Sequence, residues 1–207
     1  MGQVMTWRSR ILDDGTDRDR WLAARSDGVI GASDAAKLAK IESVKKYLAA
    51  KLATPRFQGN AYTASGNRWE PMMLAWAGIP GNVALIHSPG ERGFAATPDG
   101  IDPTGRFRLA ECKARHMKIT VGPSLGEWRQ LAWQFVAMPE AEETEFIWVE
   151  LDTEGELRKA LRGEPKHLTI KRDSPEIRAH TAQILPIATE LLARLRVSLA
   201  YKKELNQ

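Results

Sequence analysis

Hydrophobic residues recur along this chain with two spacings, one typical of helices and one typical of strands. Recurrence every three or four positions predicts helices over residues 18–25, 43–52, 67–77, 124–138 and 174–205. Short apolar segments predict strands over residues 83–88, 94–100, 106–114, 144–151 and 166–172. Strands bracketed by helices indicate an α/β or α+β domain of packed layers, and we expect the first three strands to pair antiparallel.

Three local signals refine these predictions. Ser33 lies at the start of a short helical pattern, in a position that favours an amino-terminal cap. The polar, glycine-containing stretch 54–65 is predicted to be a loop. Because Pro71 is tolerated only in the first turn of a helix, the third predicted helix should begin close to Arg68, with Glu70 near its amino end.

Composition and charge narrow the class of protein only slightly. A chain of 207 residues, with 43% hydrophobic and 27% charged residues, suits one domain over residues 1–207. The net charge of +4 is compatible with an anionic partner but does not require one. A single cysteine, Cys112, excludes an internal disulfide and a zinc site built on several cysteines, so any metal should be held by oxygen. With no apolar segment near the roughly 20 residues of a membrane span, and no secretory core, we expect a cytoplasmic protein without membrane contact.

One predicted hairpin brings two acids and a lysine together. On a strand, Glu111 and Lys113 point to the same face because successive side chains alternate. If the turn at 102–105 folds the preceding strand back, Asp99 lies near Glu111, and the two carboxylates repel unless a cation separates them. Mg²⁺ prefers oxygen ligands, so Asp99, Glu111 and the backbone carbonyl of Cys112 could hold it while a phosphate completes the shell. Lys113 would then orient the attacking water or offset charge on the phosphate, which is the chemistry of phosphodiester hydrolysis.

An accidental match is the alternative explanation of this spacing. Acids and lysines are common, and an exposed hairpin with a surface ion pair would show the same residues. The spacing alone therefore leaves both a nuclease site and an ordinary hairpin open.

Five segments in a fixed order carry a resemblance to a known family. Within residues 18–138 they are WLAARSDGVIGASDAAKL, GNRWEPM, ATPDG, AECKA and QLAWQF. Asp99, Glu111 and Lys113, with Pro98 before them, resemble the PD-(D/E)xK nuclease signature. The whole set is similar to the lambda exonuclease, or YqaJ, family of phage recombination exonucleases. This resemblance implies a restriction-endonuclease-like core, with a central mixed sheet flanked by helices.

The resemblance also implies an activity. Members of this family are Mg²⁺-dependent exonucleases that digest linear duplex DNA ends from 5′ to 3′, and Mn²⁺ is the expected alternative ion. Their product is a 3′ single strand for phage-type homologous recombination. The resemblance further implies a ring-shaped homotrimer, a single-strand annealing protein as partner, and the cytoplasm of a bacterial host as the location of a phage-encoded enzyme.

Site residues follow from the same resemblance. Asp99 and Glu111 match the metal carboxylates, and Lys113 matches the catalytic lysine. Glu70 matches an acid on a helix that helps to hold the metal, and Gln134 matches an active-site glutamine. Taken alone, Glu70 could instead complement the dipole of a helix amino end. A solvated helix face would equally explain Gln134 and the glutamine four residues before it.

Three further residues match the positions that bind the 5′ phosphate of DNA in the family. They are Arg25, Ser33 and Thr97, the last standing where the family can have a serine. A hydroxyl at a helix start beside a guanidinium is a suitable anion site, although a bare cap and a surface arginine explain the same two residues. The stretch between Arg25 and Ser33 is one residue longer here than in lambda exonuclease, so the placement of Arg25 departs from the family pattern.

Other functions remain open from the sequence. Within the same chemistry, the chain could be a restriction-like endonuclease or a RecB-like or Cas4-like nuclease domain. The lack of a four-cysteine pattern counts against the versions that carry an iron–sulfur cluster. From other classes, it could be a non-catalytic DNA-end-binding protein, or an α/β protein whose motif is accidental.

Overall fold

Helices and strands occur in successive groups along the chain, with four helices before four strands and a helix on each side of the last two strands. A computed structural model describes residues 6–26, 28–53, 61–158 and 164–205, without the side chains of 61–63. In these residues the α-helices are Arg18–Ser26 (α1), Ala32–Ala35 (α2), Val44–Leu52 (α3), Ala61–Ala77 (α4), Leu125–Ala137 (α5) and Pro175–Leu205 (α6). The strands are Ile11–Asp13 (β1), Leu85–His87 (β2), Ala95–Ala96 (β3), Gly100–Asp102 (β4), Arg108–His116 (β5), Glu143–Leu151 (β6) and Lys166–Lys171 (β7). None of the helices in these ranges is long and apolar enough to cross a membrane.

The larger sheet is mixed and has the strand order β4-β5-β6-β7. β4 and β5 form the predicted antiparallel hairpin, and β6 and β7 are also antiparallel. β5 and β6 run parallel, and α5 is the crossover that such a pair requires. Every residue of β6 is buried, as expected of a strand that is covered on both faces. The predicted central mixed sheet flanked by helices is confirmed.

A smaller antiparallel sheet has the order β1-β2-β3. The single strand predicted over residues 94–100 is therefore divided, because β3 belongs to this sheet and β4 belongs to the larger one. Pro98 lies in the connection between them, and a proline has no N–H to give to a strand ladder. Asp99 consequently lies where the chain passes from one sheet to the other.

Different helices cover the two faces of the larger sheet. On one face, α5 and α6 bury a cluster that includes Trp133, Phe146 and Leu191. On the opposite face, Met73 of α4 packs in a second cluster with Cys112. Burying one large apolar side chain stabilises the fold by about 1.5–3 kcal/mol. β5 is thus fixed between two packed layers, and its alternate side chains point to different helices.

A buried arginine joins the amino-terminal segment to the far end of α5. Arg10 is 1% exposed, and its Nη1 donates to the carbonyl oxygen of Ala137 at 2.7 Å. The same nitrogen donates to the carbonyl of His87, and Nη2 pairs with the carboxylate of Glu140. A buried guanidinium is tolerated only when it is paired in this way. The start of the chain is therefore held against residues that follow it by more than a hundred positions.

Two predictions about helix ends are wrong. α4 begins at Ala61, so Pro71 lies in the helix interior and Glu70 lies in its middle. The first turns of α4 carry few large apolar side chains, so hydrophobic spacing did not reveal them. Residues 54–60 of the predicted loop lie outside the described residues.

The cap of α2 is Gly31 rather than Ser33. The N–H of Gly31 donates to the carboxylate of Asp34 at 2.9 Å, which satisfies this helix end without a serine.

Asp102 should stabilise the β4–β5 hairpin in a pH-dependent manner. Its carboxylate accepts from the hydroxyl and the N–H of Thr104 and from Arg108, and these bonds lower the pKa of Asp102 to about 2. We expect Asp102→Asn to lower the free energy of unfolding at pH 7 by about 1–2 kcal/mol. Because the folded pKa is depressed, this contribution is present above about pH 3.8 and is lost as the pH falls towards 2.

Urea unfolding of both proteins between pH 7 and pH 2 measures this effect. The difference between wild type and Asp102→Asn should shrink below pH 4, whereas the exposed Asp173→Asn serves as a control with little effect. A difference that stays constant from pH 7 to pH 2 would contradict the assignment.

Candidate active site

Glu111 is the buried centre of a polar cluster on the face of β5 that α5 covers. It is 1% exposed, and its Oε1 contacts the ammonium of Lys113. As predicted, the two side chains share one face of the strand. Two amides from α5 complete the cluster, because Gln130 donates to Oε1 and Gln134 donates to Oε2. Three donors therefore fix the carboxylate of Glu111.

Asp99 meets β5 at an open edge of the strand. Its Oδ2 accepts the backbone N–H of Cys112 at 2.6 Å, and its own N–H donates to the carbonyl of Ala110 at 3.0 Å. The pairing of β4 with β5 extends only from Gly100 to Asp102, so this edge of β5 has no strand partner at Cys112 among the described residues. In a strand, the N–H and C=O of one residue point to the same edge, so the carbonyl of Cys112 faces the side on which Asp99 lies. Burial raises the pKa of the Cys112 thiol, which therefore stays protonated.

Glu70 approaches the same group of charges from α4. Burial and the charge of Glu111 raise the pKa of Glu70, while the charge of Lys113 partly opposes that rise. A mid-helix position removes the alternative in which Glu70 serves only the dipole of a helix amino end. The structure thus brings Glu70 into electrostatic contact with Glu111 and Lys113, although they are far apart in the sequence.

The electrostatics of this group are dominated by excess negative charge. Burial, followed by the charge of Glu111, raises the pKa of Asp99 well above its ordinary value. Burial disfavours the charged form of Lys113, but the charges of Glu111 and Asp99 outweigh it and raise the pKa of that ammonium. With all side chains ionised, three carboxylates and one lysine leave a net charge of about −2 in a group in which Glu111 is buried and the other three side chains are partly buried.

The residues present fit a hard divalent cation. They offer the carboxylate oxygens of Asp99, Glu111 and Glu70 together with the carbonyl of Cys112, which are ligands of the type that Mg²⁺ or Mn²⁺ takes. Within the described residues, no three acidic, histidine or cysteine side chains already converge as a finished metal site. In this arrangement the ammonium of Lys113 is the cation in contact with Oε1 of Glu111.

The residues predicted to bind a phosphate are partly brought together. Nη2 of Arg25 lies 2.5 Å from the hydroxyl of Ser33, and the guanidinium is 4.6 Å from the centre of the Trp21 ring. The structure therefore pairs Arg25 with Ser33 despite the longer stretch between them. Thr97 follows β3, and its buried hydroxyl has no hydrogen-bond partner among the described residues.

Gln130 is the site residue that the sequence did not identify. Its spacing of four from Gln134 placed both amides on one helix face, yet a solvated face was the ordinary explanation. In the structure both amides donate to Glu111, and Gln134 is fully buried. The sequence contained only a weak signal, the spacing of four between the two glutamines, which places both amides on one helix face whether that face meets water or a buried carboxylate.

Comparison with known proteins shows a shared fold. No family model and no curated protein matches the sequence. The alkaline exonuclease LHK-Exo of Laribacter hongkongensis is similar in structure, with a TM-score of 0.64 and 23% identity over 90% of this chain and 96% of that one. The same enzyme in complex with dAMP gives a TM-score of 0.62 and 24% identity, over the same shares of the two chains. A phage-related exonuclease of Haemophilus somnus 129PT gives a TM-score of 0.53 and 13% identity over 92% of each chain.

These likenesses cover nearly the whole chain and not only the motif-bearing part. The predicted fold, a central mixed sheet flanked by helices, is therefore confirmed, and the solved structures that share it are exonucleases. At these identities the comparison establishes the fold, and the chemistry has to be argued from the residues.

Proposed function

We propose that this chain is a divalent-metal-dependent deoxyribonuclease that digests linear duplex DNA from its ends. The observation that carries the proposal is the group of Asp99, Glu111 and Lys113 at the open edge of β5, in a fold shared with two exonucleases. The proposed polarity is 5′ to 3′, and the proposed product is a 3′ single strand for phage-type recombination in a bacterial cytoplasm. Mg²⁺ is the proposed ion, with Mn²⁺ as its substitute.

Each residue of the group has a distinct role in this proposal. Asp99, Glu111 and the carbonyl of Cys112 would hold the cation, and Glu70 would complete the set from α4. When bound, the cation supplies positive charge that stabilises the phosphate in the transition state. Lys113 would leave Glu111, donate to the phosphate or orient the attacking water, and offset the charge that develops on the phosphate oxygens.

Recognition of a DNA end is supported by the Arg25–Ser33 pair. A guanidinium beside a hydroxyl is a good binding site for a terminal phosphate, which carries more charge than a phosphate within the strand. The unpartnered hydroxyl of Thr97 is a third proposed contact. An enzyme that anchors the 5′ phosphate in this way would require a free end, which favours an exonuclease over an endonuclease.

Association with other chains is proposed from the family resemblance alone. A homotrimer would have a mass of about 69 kDa, three times the 23.1 kDa of one chain. Gel filtration with light scattering measures that mass directly. The proposed protein partner is a single-strand annealing protein that receives the 3′ strand.

Digestion of end-labelled linear duplex DNA tests the activity. With Mg²⁺, the purified protein should shorten the 5′-labelled strand from its labelled end, and EDTA should stop the reaction. A closed circular duplex of the same sequence is the matched control and should stay intact. Cleavage of the closed circle would show that the protein is an endonuclease rather than an exonuclease. If linear DNA stays intact with every divalent metal tested, the proposed catalytic activity is wrong.

Gln130 should support the metal site without binding the metal. Removing its amide with Gln130→Leu takes one of the three donors from Glu111, and losses of this kind typically weaken metal affinity about 10–100-fold. A titration of cleavage rate against Mg²⁺ concentration should show that shift while the rate at saturation changes less. Gln183→Leu, on α6 with its amide bonded to a backbone carbonyl, is the matched control. An unchanged Mg²⁺ dependence in Gln130→Leu would contradict this role.

A further inference from the structure

A cavity of about 440 Å³ opens between α1 and the carboxyl-terminal end of α6. None of the lining residues that the structure describes belongs to the candidate active site. We call it the α1–α6 pocket, with an apolar floor that includes Leu12, Val29 and Leu199 and a rim formed by Arg92, Arg196 and Lys203. The pocket therefore combines an aliphatic surface that favours burial with positive charges that favour an anion, and a ligand that has both an apolar and an anionic part would satisfy both.

The charges on the rim are only partly compensated. Arg196 is paired with Glu91 at 2.5 Å, so its charge is matched. Arg92 and Lys203 are exposed, and neither forms an ion pair with another residue of the part of the chain that the structure describes. Of the lining residues that the structure describes, none is acidic. About two positive charges are therefore free to attract an anion to an apolar surface.

We propose that the α1–α6 pocket binds the carboxyl terminus of a partner protein, a segment that ends in a large apolar residue preceded by acidic residues. A carboxyl-terminal residue is the place in a polypeptide where an apolar side chain and a negative charge belong to one residue. The side chain would lie on the floor beside Leu199, and the carboxylates would pair with Arg92 and Lys203. The size of the cavity suits one or two side chains, so a terminal segment fits better than a whole helix.

Single-stranded DNA is the competing anionic ligand, and the lining argues against it. Proteins that hold single strands without sequence preference stack the bases on aromatic side chains. Among the residues that the structure describes, the floor of this pocket is aliphatic and includes no aromatic ring. The positive rim therefore matches a peptide whose apolar part needs only burial, rather than bases that need a stacking surface.

Fluorescence anisotropy with a defined peptide tests the proposal in the absence of metal and DNA. The probe is fluorescein-labelled Gly-Ser-Asp-Glu-Asp-Gly-Leu-Phe with a free carboxylate. Its two matched controls are the same peptide as a carboxyl-terminal amide and the same peptide ending in alanine. We expect the free acid to bind with a dissociation constant on the order of 10 μM, and both controls to bind at least about tenfold more weakly.

Protein variants locate the binding. Arg92→Glu and Lys203→Glu should each weaken binding of the free acid at least about tenfold, because each reverses a rim charge. Lys45→Glu, a charge reversal at an exposed position of α3, should leave binding unchanged. Equal binding of acid and amide, or full binding by Arg92→Glu, would overturn the proposal. A labelled ten-nucleotide thymidine strand that binds in an Arg92-dependent way and displaces the peptide would overturn it in favour of a DNA subsite.

Discussion

Asp99→Asn should abolish DNA cleavage and at the same time make the metal-free protein more stable. Asp99 is partly buried beside two other carboxylates, and its pKa is raised by burial and by the charge of Glu111. The ionised form is thus unfavourable when no cation is bound. Asparagine keeps the shape and an oxygen that can accept the N–H of Cys112, but it removes the charge.

Two measurements on the same variant separate these effects. The single-turnover cleavage rate with Mg²⁺ should fall by about 10³-fold, which corresponds to roughly 4 kcal/mol of transition-state stabilisation. Urea unfolding in EDTA at pH 7 should show a gain of about 1–2 kcal/mol, as is common when a functional charge is removed. Asp173→Asn, at an exposed position, should change neither quantity. A variant that is less stable than wild type in EDTA would refute the electrostatic account.

Lys113→Met should abolish cleavage as well, but with the opposite effect on stability. The side chain of Lys113 is 25% exposed, and its ammonium is in contact with the buried carboxylate of Glu111. Methionine retains much of the apolar length of lysine while leaving the three carboxylates of the group without this cation. Because removing one partner of a buried pair is costly, we expect the metal-free protein to lose about 2–3 kcal/mol of unfolding free energy.

Cleavage and end binding have to be measured separately for this variant. The cleavage rate should fall by about 10³-fold or more, whereas affinity for a 5′-phosphorylated duplex should stay within about threefold of wild type. Lys118→Met, at an exposed position after β5, is the matched control. Cleavage by Lys113→Met at the wild-type rate would exclude the lysine from the chemistry. Opposite stability changes in Asp99→Asn and Lys113→Met, with the same loss of activity, would show that the loss is not caused by unfolding.

The sequence predicted those parts of the fold that depend on regular spacing. α5, α6 and the β4–β5 hairpin follow from apolar periodicity and from the turn residues between the strands. It missed the start of α4 because the sequence of those turns carries no regular apolar spacing. It also treated residues 94–100 as one strand, since a local pattern does not show that two neighbouring strands belong to different sheets.

In the candidate site, too, the sequence predicted what depends on local spacing and missed what depends on tertiary packing. Glu111 and Lys113 could be placed on one face from strand alternation, and the structure agrees. The contribution of Glu70 required a helix to pack on the opposite face of the sheet, which only the family resemblance suggested. Gln130 escaped detection because an amide on a helix looks the same in sequence whether it meets water or a buried carboxylate.

The buried Arg10 also constrains the order in which the protein can assemble during translation. Its partners Ala137 and Glu140 lie 127 and 130 positions further along the chain. Contacts of such long sequence separation form late, and here they cannot form until α5 and Glu140, three residues beyond it, have left the ribosome. α5 also carries both glutamines that fix Glu111. A nascent chain or a premature fragment that ends before α5 would therefore carry the acids and the lysine of the hairpin without an assembled site.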